Sequence, residues 1–265
     1  MSSRTNLSNA KRIVVKIGTS TLTYPGTGKL NLDRIDKIAR ELSDLMNQNR
    51  EIIFVTSAAI AAGLGQFGLS KRDSRVERNQ AFAAIGQGML MHIYEKIFSE
   101  YGQKISQILL TKETATVEHQ FQNARAVLLE LISMKVIPII NENDAVSVDE
   151  IQIGDNDTLS AIVAADFVNA DLLIILSDID GVYSGNPKTD PTAKIFHEID
   201  DITDEIERVA GGAGTKLGTG GMMTKIQAAK IVTSKKIPMV IAQGSRNNVI
   251  HEILAGYEIG TLFSV

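Results

Sequence analysis

The stretch NENDAVSVDEIQIGDND, residues 141–157, decides the fold because three different patterns meet in it. It follows the apolar run 136–140, ends in the polar group GDND at 154–157, and precedes a helical pattern over 158–168. A buried strand that ends in carboxylates and amides, just before a helix, is typical of ligand sites at the strand ends of an open α/β sheet. Asp and Asn also favour turns and helix caps, so each residue alone has a structural alternative.

Short apolar runs alternate with helical patterns along the rest of the chain. The predicted strands cover 13–17, 52–55, 105–110, 136–140, 172–176, 239–242 and 261–263. The predicted helices cover 32–46, 76–101, 123–134, 158–169, 201–209, 222–234 and 249–255. Strands that alternate with helices over short connections predict a mainly parallel sheet with helices on both faces.

Composition excludes several classes of function. A net charge of −4 argues against a nucleic-acid-binding surface, which is normally basic. Cysteine is absent, which excludes disulfides, thiolate metal sites and a cysteine nucleophile, and the four histidines fall in no ligand-spaced motif. The N-terminus resembles no signal peptide, and no apolar run reaches the ~20 residues of a membrane span. We expect a cytoplasmic protein without nucleic-acid or membrane partners.

The sharpest local signal is the glycine-rich sequence GTGGMMTK at 218–225. Glycines leave backbone N–H groups open to an anion, and a helix N-terminus carries partial positive charge. Lys225 would lie in the first turn of the next helix, where the helix dipole repels a cation unless an anion binds there. This pattern favours a phosphate site, although a linker with a solvent-facing lysine remains the alternative. It is not a Walker A loop.

A second glycine pattern, GLGQFG at 63–68, matches the dinucleotide-binding fingerprint G-x-G-x-x-G. The fingerprint must follow a strand directly and open a helix. Here the predicted strand ends at Val55, several residues earlier, and the segment 69–73 is loop-like. The match therefore does not indicate a dinucleotide site.

Two lysines at element ends suit phosphoryl transfer, which needs positioning and charge neutralisation more than covalent help. Lys16 ends the first predicted strand, and Lys225 follows the glycine-rich sequence. If the acceptor is a carboxylate, it is already ionised at neutral pH and needs no general base. Asp144 and Asp157 then require cations nearby, and Ser57 is either a hydroxyl donor to a ligand or a helix N-cap.

Six motifs, taken in order, resemble the amino acid kinase family. They are VKIGTS at 15–20, VTSAAI at 55–60, PIINEND at 138–144, GDND at 154–157, SD at 177–178 and GTGGMMTK at 218–225. The resemblance implies an αβα sandwich and ATP-dependent phosphorylation of the γ-carboxylate of L-glutamate, the first step of proline synthesis. It implies one kinase domain over 1–265, with glutamate bound in a lobe of about 11–157 and ATP in a lobe of about 158–265.

The resemblance also implies roles for individual residues. Lys16 and Lys225 would stabilise the transferring phosphoryl group, and Asp157 would hold both lysines. Glutamate would bind to Ser57, Asp144 and Asn156. The implied ATP-binding residues are Lys16, Ser177, Asp178, Thr219, Gly220, Gly221, Met222, Met223, Thr224 and Lys225.

Further expectations concern ligands and partners. Mg²⁺ would be carried with the nucleotide, without a metal site of the protein's own. The family suggests feedback inhibition by proline, assembly into homodimers or homotetramers, and a partnership with glutamate-5-semialdehyde dehydrogenase. Ala58 stands where the family usually has glycine, and the chain stops before the PUA domain that many bacterial members carry.

Two alternatives remain from the sequence. A sibling kinase could act on N-acetylglutamate or aspartate, although Asp144 would have no purpose beside an acetylated amine. A non-catalytic ligand sensor could share the fold, although it would not need both lysines and Asp157.

Overall fold

A computed structural model of the chain describes residues 3–147, 156–187, 189–212 and 221–265. Its strands are β1 (Arg12–Ile17), β2 (Glu51–Val55), β3 (Ile105–Leu110), β4 (Ile137–Glu142), β5 (Leu172–Ser177), β6 (Val182–Tyr183), β7 (Ile195–Phe196), β8 (Glu198–Ile199), β9 (Met239–Gln243) and β10 (Thr261–Phe263). Eight of them form one sheet in the order β3-β4-β2-β1-β5-β9-β10-β8. Neighbouring strands in this sheet are parallel except for the antiparallel pair β9 and β10. The predicted mainly parallel sheet is confirmed.

The helices are α1 (Thr19–Leu22), α2 (Leu32–Asn47), α3 (Ala59–Gln66), α4 (Val76–Glu100), α5 (Lys112–Thr116), α6 (Glu118–Ser133), α7 (Asn156–Ile162), α8 (Asp204–Gly212), α9 (Met222–Ser234) and α10 (Val249–Leu254). A π-helical turn, Val163–Phe167, continues α7. The sequence patterns missed α1, α3 and α5 and the short strands β6, β7 and β8. They also placed the start of α6 five residues late and the start of α8 three residues early.

Successive side chains of β1 and β5 point to opposite faces of the sheet, and each face carries its own buried apolar cluster. Ile13, Val15 and Ile17 belong to one buried cluster, whereas Val14 belongs to the other. Successive strand residues point to opposite faces, so Lys16 shares the face of Val14. That face is covered by α7 and α9, whose apolar residues join the same cluster as Val14. Lys16 is thereby directed toward the helices that carry Asp157 and Lys225.

The order of the strands creates a crevice at one edge of the sheet. β1 lies between β2 and β5, and the chain builds β2, β3 and β4 on one side before it enters β5 on the other. Such a topological switch point leaves space outside the carboxyl ends of the two central strands. The backbone N–H of Gly18 donates to the carbonyl of Leu176 at 3.3 Å, which joins β1 and β5 at this end.

Two glycines let α3 and α4 pack with their backbones in contact. A Cβ atom at Gly63 would lie 2.0 Å from the carbonyl oxygen of Phe82. A Cβ atom at Gly86 would lie 1.8 Å from the carbonyl oxygen of Ala59. Gly63, the first glycine of the G-x-G-x-x-G match, therefore lies inside α3 and allows the close packing of α3 on α4.

We predict opposite effects for two substitutions in α4. Gly88→Ala should raise the free energy of unfolding by roughly 1 kcal/mol, because alanine favours a helix and a Cβ at Gly88 meets nothing within 4 Å. Gly86→Ala should lower it by roughly 1–3 kcal/mol, because the new methyl group overlaps α3. Urea unfolding of both variants measures this, and a stabilising Gly86→Ala would contradict the close helix contact.

Candidate active site

A carboxylate between two buried ammonium groups forms the centre of the site. Nζ of Lys16 lies 2.7 Å from Oδ1 of Asp157, and Nζ of Lys225 lies 3.0 Å from Oδ2 of the same residue. The side chains of the lysines are 9% and 8% exposed, and that of Asp157 is 2% exposed. A lone ion at this depth would be strongly unfavourable, so the three charges depend on one another.

The pKa of Asp157 reflects this balance. Burial opposes ionisation of the carboxyl group, but the attraction of Lys16 and Lys225 and their hydrogen bonds outweigh it. The pKa of Asp157 therefore lies well below its ordinary value. Among the residues that the structure describes, one carboxylate lies between two ammonium groups, and these three side chains together carry a net charge of about +1 that a phosphate can neutralise.

The first turn of α9 contains two residues that contact Asp157, Lys225 and Thr224. Thr224 donates its hydroxyl hydrogen to Oδ2 of Asp157 at 2.8 Å. Lys225 opposes the dipole of its own helix, as the sequence indicated, and Asp157 is the anion that compensates for it. Because Lys225 is buried, the alternative of a solvent-facing lysine is wrong. Residues 218–220 of the glycine-rich sequence lie outside the described residues.

Asn156 is held beside Asp157 by hydrogen bonds within the protein. Its Nδ2 lies 2.8 Å from the carbonyl of Thr56, 3.0 Å from Oγ of Ser57 and 2.9 Å from Oδ1 of Asn141. An amide nitrogen has two hydrogens for these three acceptors. The protein therefore uses the amide hydrogens of Asn156, whereas its Oδ1 has no hydrogen-bond partner among the described residues and could meet a ligand.

Ser57 and Ala58 connect β2 to α3. The N-cap of α3 is Ala58, so the alternative that Ser57 is a plain N-cap is wrong. Ala58 has φ 79° and ψ 10°, in the left-handed region. This conformation favours glycine, and it costs an L-residue roughly 1–2 kcal/mol. The departure from the family's usual glycine thus falls at a strained position beside Ser57.

Asp144 lies in the wall of a cavity of about 430 Å³. Its side chain is buried, and Ala58 and the first residues of α3 line the same cavity. Lys71 and Arg72 contribute cationic groups that sequence reasoning did not predict. The volume is within the range of small-molecule sites. The cavity therefore presents a carboxylate and two cations to one ligand.

The remaining predicted ATP-binding residues that the structure describes lie at the carboxyl end of β5 and the start of α9. Ser177 is buried, ends β5 and donates its hydroxyl hydrogen to Asp178 at 3.1 Å, while Asp178 is exposed. Gly221 is the N-cap of α9, and Met222 and Met223 follow it in the first turn. Thr219 and Gly220 lie outside the described residues, as do the first two residues of the GDND motif.

A larger cavity of about 750 Å³ lies elsewhere, lined by Asp171, Ile237 and residues of α5 and α6. Asp171 directly precedes β5, and Ile237 lies shortly before β9, so this cavity is at the amino ends of the strands. Sites in parallel sheets form at the carboxyl ends. We therefore place the site at the Lys16–Asp157–Lys225 cluster.

Comparison with known proteins identifies the family. The model of the amino acid kinase family matches residues 11–243. The chain belongs to the amino acid kinase family. Glutamate 5-kinase from Clostridium tetani is 52% identical over 258 residues, covering 97% of this chain and 96% of that protein. Glutamate 5-kinase from Carboxydothermus hydrogenoformans is 51% identical over 257 residues, covering 97% of this chain and 68% of that protein.

The amino acid kinase fold is also shown by a solved structure. The crystal structure of UMP kinase from Bacillus anthracis aligns with a TM-score of 0.64 at 14% identity, covering 96% of each chain. At this identity the likeness concerns the fold alone. Among the helices that the structure describes, none combines the length and apolar character that crossing a membrane requires.

We predict that Asp157→Asn destabilises the protein in a pH-dependent way. Loss of the charge leaves Lys16 and Lys225 buried without their anion, at a cost of about 3 kcal/mol near pH 7. Because the folded-state pKa is lowered, the carboxylate contributes stability above its unfolded pKa near 4 and loses it as the pH falls below that value.

Urea unfolding of wild type and Asp157→Asn at pH 7 and pH 3 measures this effect. The difference between the two proteins should shrink at pH 3, because Asp157 of the unfolded chain is largely protonated there while the folded protein keeps this carboxylate ionised. A difference that is equal at both pH values would contradict the ion-pair account.

Proposed function

We infer that the chain is a glutamate 5-kinase, which transfers the terminal phosphoryl group of ATP to the γ-carboxylate of L-glutamate. The observation that carries this conclusion is the pair of buried lysines held on Asp157 at the switch point of the sheet. The family and the glutamate 5-kinases at about half identity support the same activity.

The chemistry requires charge neutralisation and alignment. An oxygen of the γ-carboxylate attacks the terminal phosphorus, the bond to the bridging oxygen breaks, and ADP leaves with its electron pair. The product is an acyl phosphate. Lys16 and Lys225 neutralise charge on the transferring group, and Asp157 holds their Nζ atoms in place. No general base is needed, because the acceptor carboxylate is ionised at neutral pH.

We place the amino acid in the cavity bordered by Asp144. The carboxylate of Asp144 attracts the α-ammonium group of glutamate, and Oδ1 of Asn156 accepts a further hydrogen bond from it. Oγ of Ser57 is one of the three acceptors around Nδ2 of Asn156, and we expect the Ser57 hydroxyl to donate to a ligand oxygen. An N-acetylated substrate lacks the charge that Asp144 would recognise.

We place ATP beside Ser177, Asp178 and the start of α9, with Thr219 and Gly220 completing the phosphate contacts. Backbone N–H groups at the helix N-terminus suit phosphate oxygens. The described residues contain no group of three His, Asp or Glu side chains that could hold a metal ion. We expect Mg²⁺ to arrive with the nucleotide and to be held mainly through its phosphates, where it would neutralise part of their charge.

The division into a glutamate lobe over about 11–157 and an ATP lobe over about 158–265 belongs to the same proposal. Feedback inhibition by proline, a dimeric or tetrameric assembly, and a partnership with glutamate-5-semialdehyde dehydrogenase remain predictions from the family resemblance.

A substrate panel tests the activity. Purified protein, Mg²⁺-ATP and hydroxylamine are incubated with L-glutamate, N-acetyl-L-glutamate or L-aspartate, because hydroxylamine traps an acyl phosphate as a hydroxamate. We expect ADP and hydroxamate with glutamate. Folded protein that forms hydroxamate with another acid alone would replace glutamate as the substrate, and no turnover with any of them would favour a ligand sensor.

We predict that Lys225→Ala lowers kcat at least ~100-fold, the scale of losing one preorganised electrostatic contact. Lys230→Ala is the matched control, since Lys230 lies in the same helix but is exposed and pairs with Glu207. Its kcat should equal that of wild type. Steady-state kinetics with saturating ATP and glutamate measure both, and an unchanged kcat for Lys225→Ala would remove this lysine from the mechanism.

We predict that Asp144→Ala raises the KM for glutamate about 10–100-fold while the KM for ATP stays within about threefold, because a charged contact to the ammonium group is worth roughly 1.5–3 kcal/mol. Kinetics with each substrate varied in turn measure the split. An equal rise of both KM values, or loss of the folded state, would assign Asp144 a structural role.

A further inference from the structure

A chain of four side-chain amides runs from the site to the edge of the sheet. Nδ2 of Asn156 donates to Oδ1 of Asn141 at 2.9 Å, and Nδ2 of Asn141 donates to Oε1 of Gln87 at 2.9 Å. Nε2 of Gln87 donates in turn to Oε1 of Gln107 at 2.9 Å. Gln87 lies in α4 and Gln107 in the edge strand β3, so the chain links four separate elements. The sequence analysis predicted no role for either glutamine.

The direction of every amide in this chain is determined by its neighbours. Asn141 accepts from Asn156 and from the backbone N–H of Glu142 at 3.0 Å, so its oxygen faces those donors and its nitrogen faces Gln87. Gln87 must present an oxygen to that nitrogen, and its own nitrogen then faces Gln107. Gln87 therefore fixes the far side of Asn141, whose near side holds Asn156.

The chain has one open end, and it lies at the site. Oδ1 of Asn156 is buried and has no hydrogen-bond partner among the residues that the structure describes. Asn156, Asn141 and Gln87 are 2%, 1% and 9% exposed, so these amides have almost no access to bulk water. A buried acceptor without a donor costs free energy comparable to a lost hydrogen bond. A ligand with an N–H group can supply the missing donor.

The packing of α4 keeps Gln87 in this position. Its neighbour Gly86 lies in backbone contact with α3, which fixes how far α4 stands from the helix that follows Ser57. A glutamine in a loosely packed helix would not place Oε1 within hydrogen-bond distance of a fixed strand residue. The tight helix pair and the amide chain thus act on the same side of the amino acid cavity.

We propose that Gln87 is a positioning residue for the amino acid substrate: through Asn141 it holds Asn156 so that Oδ1 faces the substrate's ammonium group. The proposal rests on the proposed glutamate kinase activity. Without Oε1 of Gln87, Nδ2 of Asn141 is left buried without an acceptor, and Asn141 shifts or rotates to find one. Asn156 keeps its bond to the Thr56 carbonyl but loses its second fixed anchor, so its oxygen is less well aligned.

Three variants test this assignment. Gln87→Met keeps the length of the side chain and removes both polar atoms. Gln87→Glu keeps an oxygen for Asn141, and exposed Gln107 can turn its amide to donate to that carboxylate. Gln107→Met removes the outer amide of the chain without touching Asn141.

Steady-state kinetics should separate the three variants. We expect Gln87→Met to raise the KM for glutamate about tenfold, the equivalent of one hydrogen bond, while kcat and the KM for ATP stay within about threefold. Gln87→Glu and Gln107→Met should both keep a glutamate KM within about threefold of wild type. Thermal unfolding is measured for each, and if Gln87→Met does not fold, Gln87→Leu takes its place.

Other outcomes would overturn the assignment. A glutamate KM unchanged in folded Gln87→Met, or glutamate and ATP KM values that rise together, would make Gln87 a structural residue only. A Gln87→Glu variant as impaired as Gln87→Met would show that the oxygen facing Asn141 is not what matters. Wild type is assayed first with the substrate panel, so an inactive wild type rejects the glutamate kinase activity and not the role of Gln87.

Discussion

The structure depends on the ionised carboxylate of Asp157, which keeps two ammonium groups stable inside the protein. Neither Lys16 at the end of β1 nor Lys225 in the first turn of α9 could remain charged there alone, because burial penalises an isolated ion. Asp157 removes that penalty, and the net positive charge left over is suited to the terminal phosphate of a nucleotide. The two ion pairs join the central strand β1 to the helices α7 and α9, so they also fix the walls of the site.

The alternation of side chains along a strand and the order of the strands bring the charged side chains of the site together. Alternation along β1 puts Lys16 on the face covered by α7 and α9, and the switch in strand order beside β1 opens the crevice that it faces. On the other side of the crevice, the close contact of α3 with α4 sets the wall that carries Ser57, strained Ala58 and Gln87. Backbone geometry thus positions the side chains on both sides of the crevice.

The sequence alone predicted the two site lysines, because a lysine is an unusual residue at each of their positions. A lysine that ends an apolar strand and a lysine that opposes a helix dipole each indicate a nearby anion, and both lysines do contact one. The parallel sheet followed from alternating patterns. Helix α3 was missed, because AIAAGLGQ contains two glycines and few large apolar residues, and its helical form depends on packing against α4.

The amide chain could not be predicted, because nothing in its sequence distinguishes Gln87 from a surface glutamine. Its partner Asn141 is 54 residues away and becomes a neighbour only when α4 crosses the sheet. Likewise, sequence could not separate Ser57 from an N-cap, because that distinction depends on α3 starting at Ala59 with Ala58 as its cap.

A crystal structure of the protein with Mg²⁺, L-glutamate and a non-hydrolysable ATP analogue tests the central claim most directly. The account predicts that Nζ of Lys16 and Nζ of Lys225 both lie within about 3.2 Å of oxygens of the terminal phosphate, with Asp157 still bridging them. A terminal phosphate bound away from either lysine would contradict it.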